Sequence, residues 1–309
     1  MCPPTLPSSP PLADADTDSD HDSELPYTPS EPPYTPSELA AIVVDFYTFL
    51  TTLHFPASGL KLAPPGGWPN ITPSSNRYLS FKSPLATEVM RQLPYFDKST
   101  EAYAHYKSRF IDHPSLRSPY WTFSKGDDSE EEDKDEEEDE EEDEAEDEAE
   151  DEFFDMVGPI ESADGEEVDP RDVVCLASGR ESGGAGFFLD VRRGEITEDI
   201  ARMTTLSPVD VVVFFERLKE EYRSLKLIPC TGYLVMIKEE EEVEESEGVS
   251  TEVMMRQIER WGTKTDVRWL RALYRRWGWP DRYQRVEAER EVNEAMSKME
   301  EGQTGGSGE

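Results

Sequence analysis

Carboxylates are the most abundant groups in this chain that can do chemistry, because Asp and Glu supply 69 of its 309 residues. Two carboxylates held a few ångströms apart can act as general acid and general base. Asp190 and Glu195 flank a predicted turn and form the candidate pair that would face a pocket. Acids are abundant elsewhere in the chain, so the sequence favours the alternative, a solvated turn, for these two residues.

Other kinds of catalytic or cofactor site have little support in the sequence. The histidines fall in no HExxH pattern and beside no pair of closely spaced cysteines, the arrangements typical of zinc sites. The glycine-rich stretch 179–186 lacks the Lys-Ser or Lys-Thr ending of a phosphate-binding loop, and a strand is predicted after it instead of a helix. We therefore predict no cofactor and no metal. The histidines are His21, His54, His105 and His113.

One stretch is almost entirely acidic, since 22 of the 26 residues from 127 to 152 are Asp or Glu. It carries 21 of the chain's 38 net negative charges. A run of like charges repels itself and has no apolar surface to bury, so we expect it to be extended and solvated. Two interpretations are open. The run attracts basic proteins, such as histones or ribosomal proteins, by salt-sensitive forces, or it is a solubilising insertion in a surface loop.

A second stretch, 256–290, has a basic bias and is rich in tryptophan. Basic residues interleaved with aromatic ones can bind phosphates and stack on bases. The alternative, which we favour, is that the tryptophans anchor helices to the core while the arginines face solvent or the chain's own acidic run. The candidate interaction residues are Arg275, Arg276, Trp277 and Trp279 here, together with Trp68 in a Pro/Gly-rich loop.

The overall charge restricts the expected partners, and the N-terminus, the hydropathy and the cysteines restrict the expected location. Without the acidic run the chain still has 30 basic and 47 acidic residues, so nucleic acid is not an expected partner. No signal peptide is visible, and no apolar run reaches the length of a membrane span. Three scattered cysteines, Cys2, Cys175 and Cys230, do not form a secreted disulfide framework. We expect a soluble intracellular protein of the cytoplasm or nucleus that does not bind membranes.

Periodicity predicts the elements that must position these residues. Apolar residues at spacings of three and four, among them Leu39, Val43, Phe46 and Leu53, predict a buried helix over this stretch, with Ser37 as its N-cap. Further helices are predicted at 83–93, 207–224, 251–260, 266–277 and 281–299, strands at 120–123, 172–177, 187–191 and 233–237, and a helix or strand at 100–111.

These elements predict an α+β fold: a single, mostly helical domain with a small antiparallel sheet, interrupted by a disordered acidic insertion. The insertion occupies 127–155 and separates the two parts of the domain, 37–126 and 156–300. A disordered leader rich in Pro, Ser and Asp occupies 1–36, and a disordered tail occupies 301–309.

Three short motifs carry a resemblance to known proteins: PPGGWPNI at 64–71, LPY at 93–95 and WGWP at 277–280. They resemble motifs in a set of uncharacterised fungal proteins. The resemblance covers about residues 39–285, apart from the acidic insertion, and it implies no activity.

A second resemblance is carried by GFFLD at 186–190 and GEI at 194–196. Both are similar to a strand-and-turn pattern of SUKH-like domains, a superfamily that includes bacterial toxin-immunity proteins and a fungal cell-wall regulator. This resemblance implies an α+β domain that binds other proteins.

The sequence therefore predicts a non-enzymatic protein–protein interaction module with an acidic tract that can attract basic proteins. Two alternatives stay open. One is an enzyme of unknown class whose site assembles only in three dimensions, which a deep pocket near Trp68, Asp190 or Glu195 would support. The other is an acidic protein that resembles a histone chaperone.

Overall fold

The helix α1, Pro36–Leu53, forms a large part of the core. Its residues Leu39, Val43, Phe46 and Leu50 are all buried, which confirms the apolar face predicted from their spacing. The helix begins one residue before the predicted N-cap.

The N-cap of α1 is Thr35, so the assignment of Ser37 to that position is wrong. The Thr35 side chain accepts from the backbone N–H of Glu38, whose carboxylate accepts from the Thr35 backbone N–H in return, which is a capping box. Pro36 then occupies the first helical position, where its missing N–H leaves no bond unmade. Ser37 instead donates its hydroxyl to the side chain of Gln92.

The computed structural model describes residues 31–75, 77–100, 102–105, 107–115, 168–179, 184–200, 204–229, 236–238, 249–257 and 263–304. The acidic insertion and the predicted strand at 120–123 lie outside these residues, as do most of the leader and part of the tail. In chain order the helices are α1 (Pro36–Leu53), α2 (Arg77–Phe81), α3 (Pro84–Gln92), α4 (Val211–Arg223), α5 (Thr251–Met255), α6 (Lys264–Arg276) and α7 (Arg285–Thr304). The strands are β1 (Leu60–Lys61), β2 (Tyr95–Phe96), β3 (Tyr103–His105), β4 (Ser108–Phe110), β5 (Val173–Gly179), β6 (Gly186–Asp190), β7 (Glu195–Asp199), β8 (Val209–Asp210), β9 (Leu227–Pro229) and β10 (Met236–Lys238).

The main sheet contains six strands in the order β3-β4-β5-β6-β7-β8, and all of its pairings are antiparallel. The described residues thus form an α+β fold, but the prediction of a mostly helical domain with a small sheet is wrong. The sequence hides the size of the sheet because β3, β4 and β8 are only two or three residues long. Strands this short cannot show the alternating pattern from which a strand is predicted.

The centre of the sheet was predicted correctly from its apolar runs. β5 and β6 correspond to the strands expected at 172–177 and 187–191, and β7 continues the meander. A tight turn joins β6 to β7. Gly194 lies in that turn with φ = +69°, a left-handed conformation that glycine adopts without steric cost.

Aromatic contacts join α1 and the sheet through α4. Phe46 of α1 stacks on Phe215 of α4 with ring centroids 4.6 Å apart. The neighbouring Phe214 contacts Phe187 of β6 edge to face at 5.1 Å. The adjacent residues Phe214 and Phe215 of α4 therefore pack against the sheet and against α1, respectively.

The beginning of α4 differs from the prediction that the helix starts at Ser207 and Pro208. Val209 and Asp210 instead form β8 and pair with Ile196 and Glu195 of β7. Asp210 is also the N-cap of α4, because its carboxylate accepts from the backbone N–H groups that open the helix. Sheet pairing thus displaces the helix start by a few residues.

Two helices complete the described fold. Thr263 and Asp266 form a capping box at the start of α6. Helix α7 packs through a narrow stripe made of Ala288, Val292 and Ala295, all buried. Among the described residues, no helix has both the length and the apolar character needed to cross a lipid bilayer.

Candidate functional site

The acidic run lies in the connection between two neighbouring strands of the main sheet. β4 ends at Phe110 and β5 begins at Val173, and the two strands pair side by side, with Phe110 opposite Ala177. The backbone N–H of Ile111 extends the ladder by donating to Leu176 O at 3.1 Å. The sheet therefore holds both ends of this long connection in place.

Asp190 and Glu195 lie opposite each other at the end of the β6–β7 hairpin. Asp190 Oδ1 accepts from the backbone N–H groups of Arg192 at 2.8 Å and Arg193 at 3.0 Å, and the Arg193 guanidinium lies 3.7 Å from Oδ2. Burial raises the pKa of the Asp190 carboxyl. The recess beside both acids encloses about 10 Å³, room for roughly one water molecule. Asp190 thus shapes the turn.

An ion pair between an exposed arginine and a buried carboxylate lies next to this turn. Asp172 is almost fully buried, and its Oδ2 accepts from Arg192 Nε at 2.9 Å. Its Oδ1 accepts from the hydroxyl of Ser83, which also caps α3. Through these contacts the β6–β7 turn is joined to the start of α3.

Trp68 is half-buried against the end of α3. Its indole Nε1 donates to Leu93 O at 2.8 Å, and its ring lies 5.9 Å from that of Tyr95. The preceding Gly67 has φ = +80°, and a Cβ at this position would lie 2.8 Å from Arg91 O. Gly67 therefore permits the close backbone approach to Arg91 that seats Trp68.

The other two candidate tryptophans lie at the end of α6. Trp279 is buried, donates its indole N–H to Tyr222 O at 2.9 Å and stacks on Tyr274. Trp277 donates to Glu291 of α7 at 3.0 Å. Both indoles thus anchor the end of α6 to other parts of the fold.

The two candidate arginines lie beside these tryptophans. Arg276 forms an ion pair with Glu291, which also accepts from Trp277. Arg275 is exposed.

The seven candidate residues thus occupy three places. Four of them lie together at the end of α6, two at the β6–β7 turn, and Trp68 at the end of α3. The hydrogen bonds of the tryptophans go to the protein's own backbone and side chains.

A buried polar cluster behind α2 was missed by the sequence analysis. Lys82 is 6 % exposed, donates from Nζ to Pro170 O at 2.9 Å and lies 4.5 Å from the centroid of the Tyr78 ring. Burial lowers the pKa of its ammonium group to about 8. No local pattern marks Lys82, because its burial depends on contacts with residues almost ninety positions away.

His113 belongs to the same cluster. Its ring stacks on Tyr78 at 5.4 Å, and Nε2 lies 2.8 Å from Cys175 O. A carbonyl only accepts, so the proton is on Nε2. Burial lowers the pKa of His113 to about 4, and Nδ1 has no hydrogen-bond partner among the described residues. His113 is therefore a neutral core residue near pH 7.

Metal binding has no built site in the described part of the chain, where no three His, Cys, Asp or Glu side chains are grouped to hold an ion. No protein-family model, curated protein or solved structure matches the sequence. What the chain does is therefore inferred from its own geometry and charge.

Proposed function

We propose that this protein is a non-enzymatic interaction module that captures basic proteins through residues 127–152. One observation carries the proposal: the chain's densest charge lies in the connection between two strands that pair side by side. Because β4 and β5 pair with each other, the sheet fixes both ends of the connection. The acidic run between them is long enough to follow an extended basic partner.

Electrostatic attraction supplies the binding energy. Twenty-two carboxylates within 26 residues create a strong local negative potential that attracts Lys- and Arg-rich chains. Such attraction is screened over about 8 Å at physiological salt, so affinity falls as salt rises. The partners of this chemistry are polypeptides with basic tails, such as histones or ribosomal proteins. An intracellular location, in the cytoplasm or nucleus, is part of the proposal.

The folded domain is proposed to be the scaffold that presents the run. The resemblances to the fungal proteins and to SUKH-like domains, the latter implying protein binding, are part of the same proposal. If the basic partners are histones, the proposed function is that of a histone-chaperone-like protein.

The test compares the full chain with a variant of the same length in which every acid of 127–152 becomes its amide, Asp→Asn and Glu→Gln. Binding of a fluorescent Lys-rich peptide, and then of purified core histones, is followed by anisotropy at about 0.05 M and about 0.5 M salt. At low salt we expect the natural chain to bind the basic probes tightly and the amide variant to bind them at least about tenfold more weakly. At high salt we expect both chains to lose affinity for the probes.

A scrambled run with the same composition is the control. If charge density alone drives binding, the scrambled chain is expected to bind the basic probes with the same affinity as the natural chain. Equal binding by the natural and amide chains would overturn the proposal and place function in the folded domain.

A further inference from the structure

A short segment, Pro33–Thr35, leads into α1, and we name it the entry strap. Tyr34 lies half-buried in it, and its hydroxyl donates to Asp210 Oδ2 at 2.7 Å. The strap passes over Gly194 of the β6–β7 turn, where a Cβ would lie 2.4 Å from the Tyr34 ring and 3.2 Å from Pro33. The strap is therefore held on the fold through the Tyr34–Asp210 hydrogen bond and through close contact with a residue that has no side chain.

Thr35, the last residue of the strap, is exposed and has an extended backbone, with φ = −73° and ψ = 159°. Pro36 follows it, and the ring of a proline restricts the preceding residue to extended conformations. Pro33 lies two positions before it, so the sequence reads Pro-x-Thr-Pro. A hydroxyl residue with prolines at these two positions is the acceptor pattern of proline-directed protein kinases, which bind their acceptors in extended form.

Three other hydroxyl residues in the described part of the chain precede a proline, and none of them has a proline two positions before it: Thr72, Ser83 and Ser207. Thr72 and Ser83 are partly buried. Ser207 is exposed, but Leu206 and Val209, on either side of it, are bonded to β7 of the main sheet. Thr35 is released when the strap and the first turn of α1 open, and the N–H groups of a first turn have no partners within their own helix. Thr35 is therefore the most accessible acceptor of this kind among the described residues.

A phosphoryl group on Thr35 changes the charge at the start of α1. The Thr35 hydroxyl donates to Glu38 Oε2 at 2.8 Å, and the hydrogen bonds from the Thr35 backbone and hydroxyl hold the pKa of the Glu38 carboxyl below its ordinary value. The phosphoryl group replaces the hydroxyl proton and carries about two negative charges near pH 7. Its attraction to the helix start is spread over the first turn, whereas its repulsion of Glu38 acts at contact distance. The phosphate therefore opens the capping box.

We propose that Thr35 is a phosphorylation site for a proline-directed kinase and that the Tyr34–Asp210 hydrogen bond limits the rate of its modification. The bond between the γ-phosphorus of ATP and the β–γ bridging oxygen breaks, and a bond between that phosphorus and Thr35 Oγ1 forms. ADP leaves, and the hydroxyl proton goes to the catalytic base of the kinase. Transfer requires the strap to leave Gly194. The inference is independent of the proposed function, because it makes no use of residues 127–152.

The test follows phosphorylation of the full-length chain by a purified mitogen-activated protein kinase with ATP, and mass spectrometry measures the initial rate at each site. Residues 26–31 and 33–38 are the same hexapeptide, Pro-Tyr-Thr-Pro-Ser-Glu, so Thr28 is an internal reference for recognition by the kinase. In Asp210→Asn the amide can still cap α4, but the charged acceptor of the Tyr34 hydroxyl is gone. We expect this variant to raise the rate at Thr35 about fivefold, the factor for loss of one hydrogen bond, and to leave the rate at Thr28 unchanged.

Two further variants complete the comparison. Glu220→Gln removes the same charge from an exposed position of α4 and is expected to change neither rate. Tyr34→Phe keeps the ring over Gly194 and removes the hydrogen-bond donor, so it is expected to raise the rate at Thr35 by a similar factor, even if Asp210→Asn fails to fold. The proposal would be overturned by a natural chain that carries no phosphate on Thr35 or carries it on Ser207 instead. Equal rates at Thr35 in the natural chain and in the Tyr34→Phe chain would overturn it as well.

The effect of the phosphate on the strap is measured by amide hydrogen exchange in a Thr28→Ala chain. The N–H groups of Glu38 and Leu39 are both bonded to Thr35, the first to its hydroxyl and the second to its carbonyl. We expect both groups to exchange several-fold faster after phosphorylation. Unchanged or slower exchange would show that the phosphate caps α1 in place of the hydroxyl, which would contradict the opening of the capping box.

Discussion

The Tyr34 hydroxyl donates a 2.7 Å hydrogen bond to Oδ2 of Asp210, whose Oδ1 caps α4 by accepting from the N–H groups of Val212 at 2.9 Å and Val213 at 3.2 Å. One carboxylate therefore joins the chain that enters α1 to the first turn of α4. The hydrogen bond to Asp210 is the main cause that raises the pKa of Tyr34.

This shared carboxylate predicts coupled effects on stability. Tyr34→Phe removes one hydrogen bond and is expected to lower the free energy of unfolding by about 1 kcal/mol. Asp210→Ala removes that bond and the helix cap, so we expect a loss of about 2 kcal/mol. Urea unfolding of both single variants and the double variant measures the coupling, and strictly additive losses would show that the two roles are separate.

The cap of α1 gives a second prediction, which separates two neighbouring hydroxyl residues. Thr35→Ala removes the side-chain half of the capping box and is expected to cost about 1 kcal/mol of unfolding free energy. Ser37→Ala, the matched control, removes only an exposed hydrogen bond to Gln92 and is expected to change stability by less than about 0.5 kcal/mol. A larger loss from Ser37→Ala than from Thr35→Ala, measured by urea unfolding, would contradict this assignment of the cap.

These two helix starts show what the sequence can and cannot predict. The buried face of α1 follows from the spacing of its apolar residues, and the spacing needs no knowledge of the rest of the fold. The exact start of α1 depends on whether Thr35 or Ser37 caps the helix, and the start of α4 depends on whether Val209 pairs with β7. Tertiary contacts determine the first residue of each helix, and the local sequence pattern carries no information about those contacts.

The candidate sites illustrate the same limit. The turn flanked by Asp190 and Glu195 was predicted, but the role of Asp190 as an acceptor for two backbone N–H groups depends on the hairpin's register. The Trp-rich segment was predicted to anchor helices, while the acceptors of its indoles lie on distant elements. Lys82 was missed because a lysine in sequence carries no sign that it will be buried.

The tryptophans are expected to matter for stability and not for binding of basic probes. Trp279→Phe removes a buried indole donor and reduces the ring that stacks on Tyr274, so we expect a loss of about 2 kcal/mol in unfolding free energy. Trp68→Phe, at a half-buried position, is expected to cost about 1 kcal/mol. Thermal unfolding and anisotropy with the Lys-rich peptide test both statements. Weaker peptide binding by a folded Trp68→Phe chain would make Trp68 an interaction residue.

Buried histidines predict a loss of stability in mild acid. His113 is buried and the side chain of His54 is only 11% exposed, and this desolvation lowers the pKa of each to about 4 from an ordinary value near 6.5. Between about pH 6.5 and pH 4 the unfolded chain binds protons that the folded chain does not, so stability falls as the pH falls through this window.

The variant His113→Phe isolates one of these contributions. It keeps an aromatic ring against Tyr78 and removes the titrating group, so the slope of unfolding free energy against pH between 6.5 and 4 is expected to be shallower than in the natural chain. The slope is the readout, since loss of the hydrogen bond to Cys175 O lowers stability at every pH. An unchanged slope would mean that the pKa of His113 is the same in the folded and unfolded states.

Removal of residues 127–152 is expected to leave the fold intact. Shortening a long connection lowers the free-energy cost of closing the loop by less than about 1 kcal/mol. The deletion also removes charges that repel one another. We expect a midpoint of thermal unfolding equal to or slightly above that of the natural chain at about 0.15 M salt. A midpoint several degrees lower would show that the acidic run contributes contacts to the folded domain.

The place of the β4–β5 connection also bears on how fast the protein folds. Strands β5 to β8 follow one another closely in the chain, as do β3 and β4, so each group can form from local contacts. The two groups meet only when roughly 60 residues between Phe110 and Val173 close into a loop. Because the charges on that connection oppose closure, added salt should accelerate the joining of the two groups, whereas the same charges at a chain terminus would leave this step unaffected.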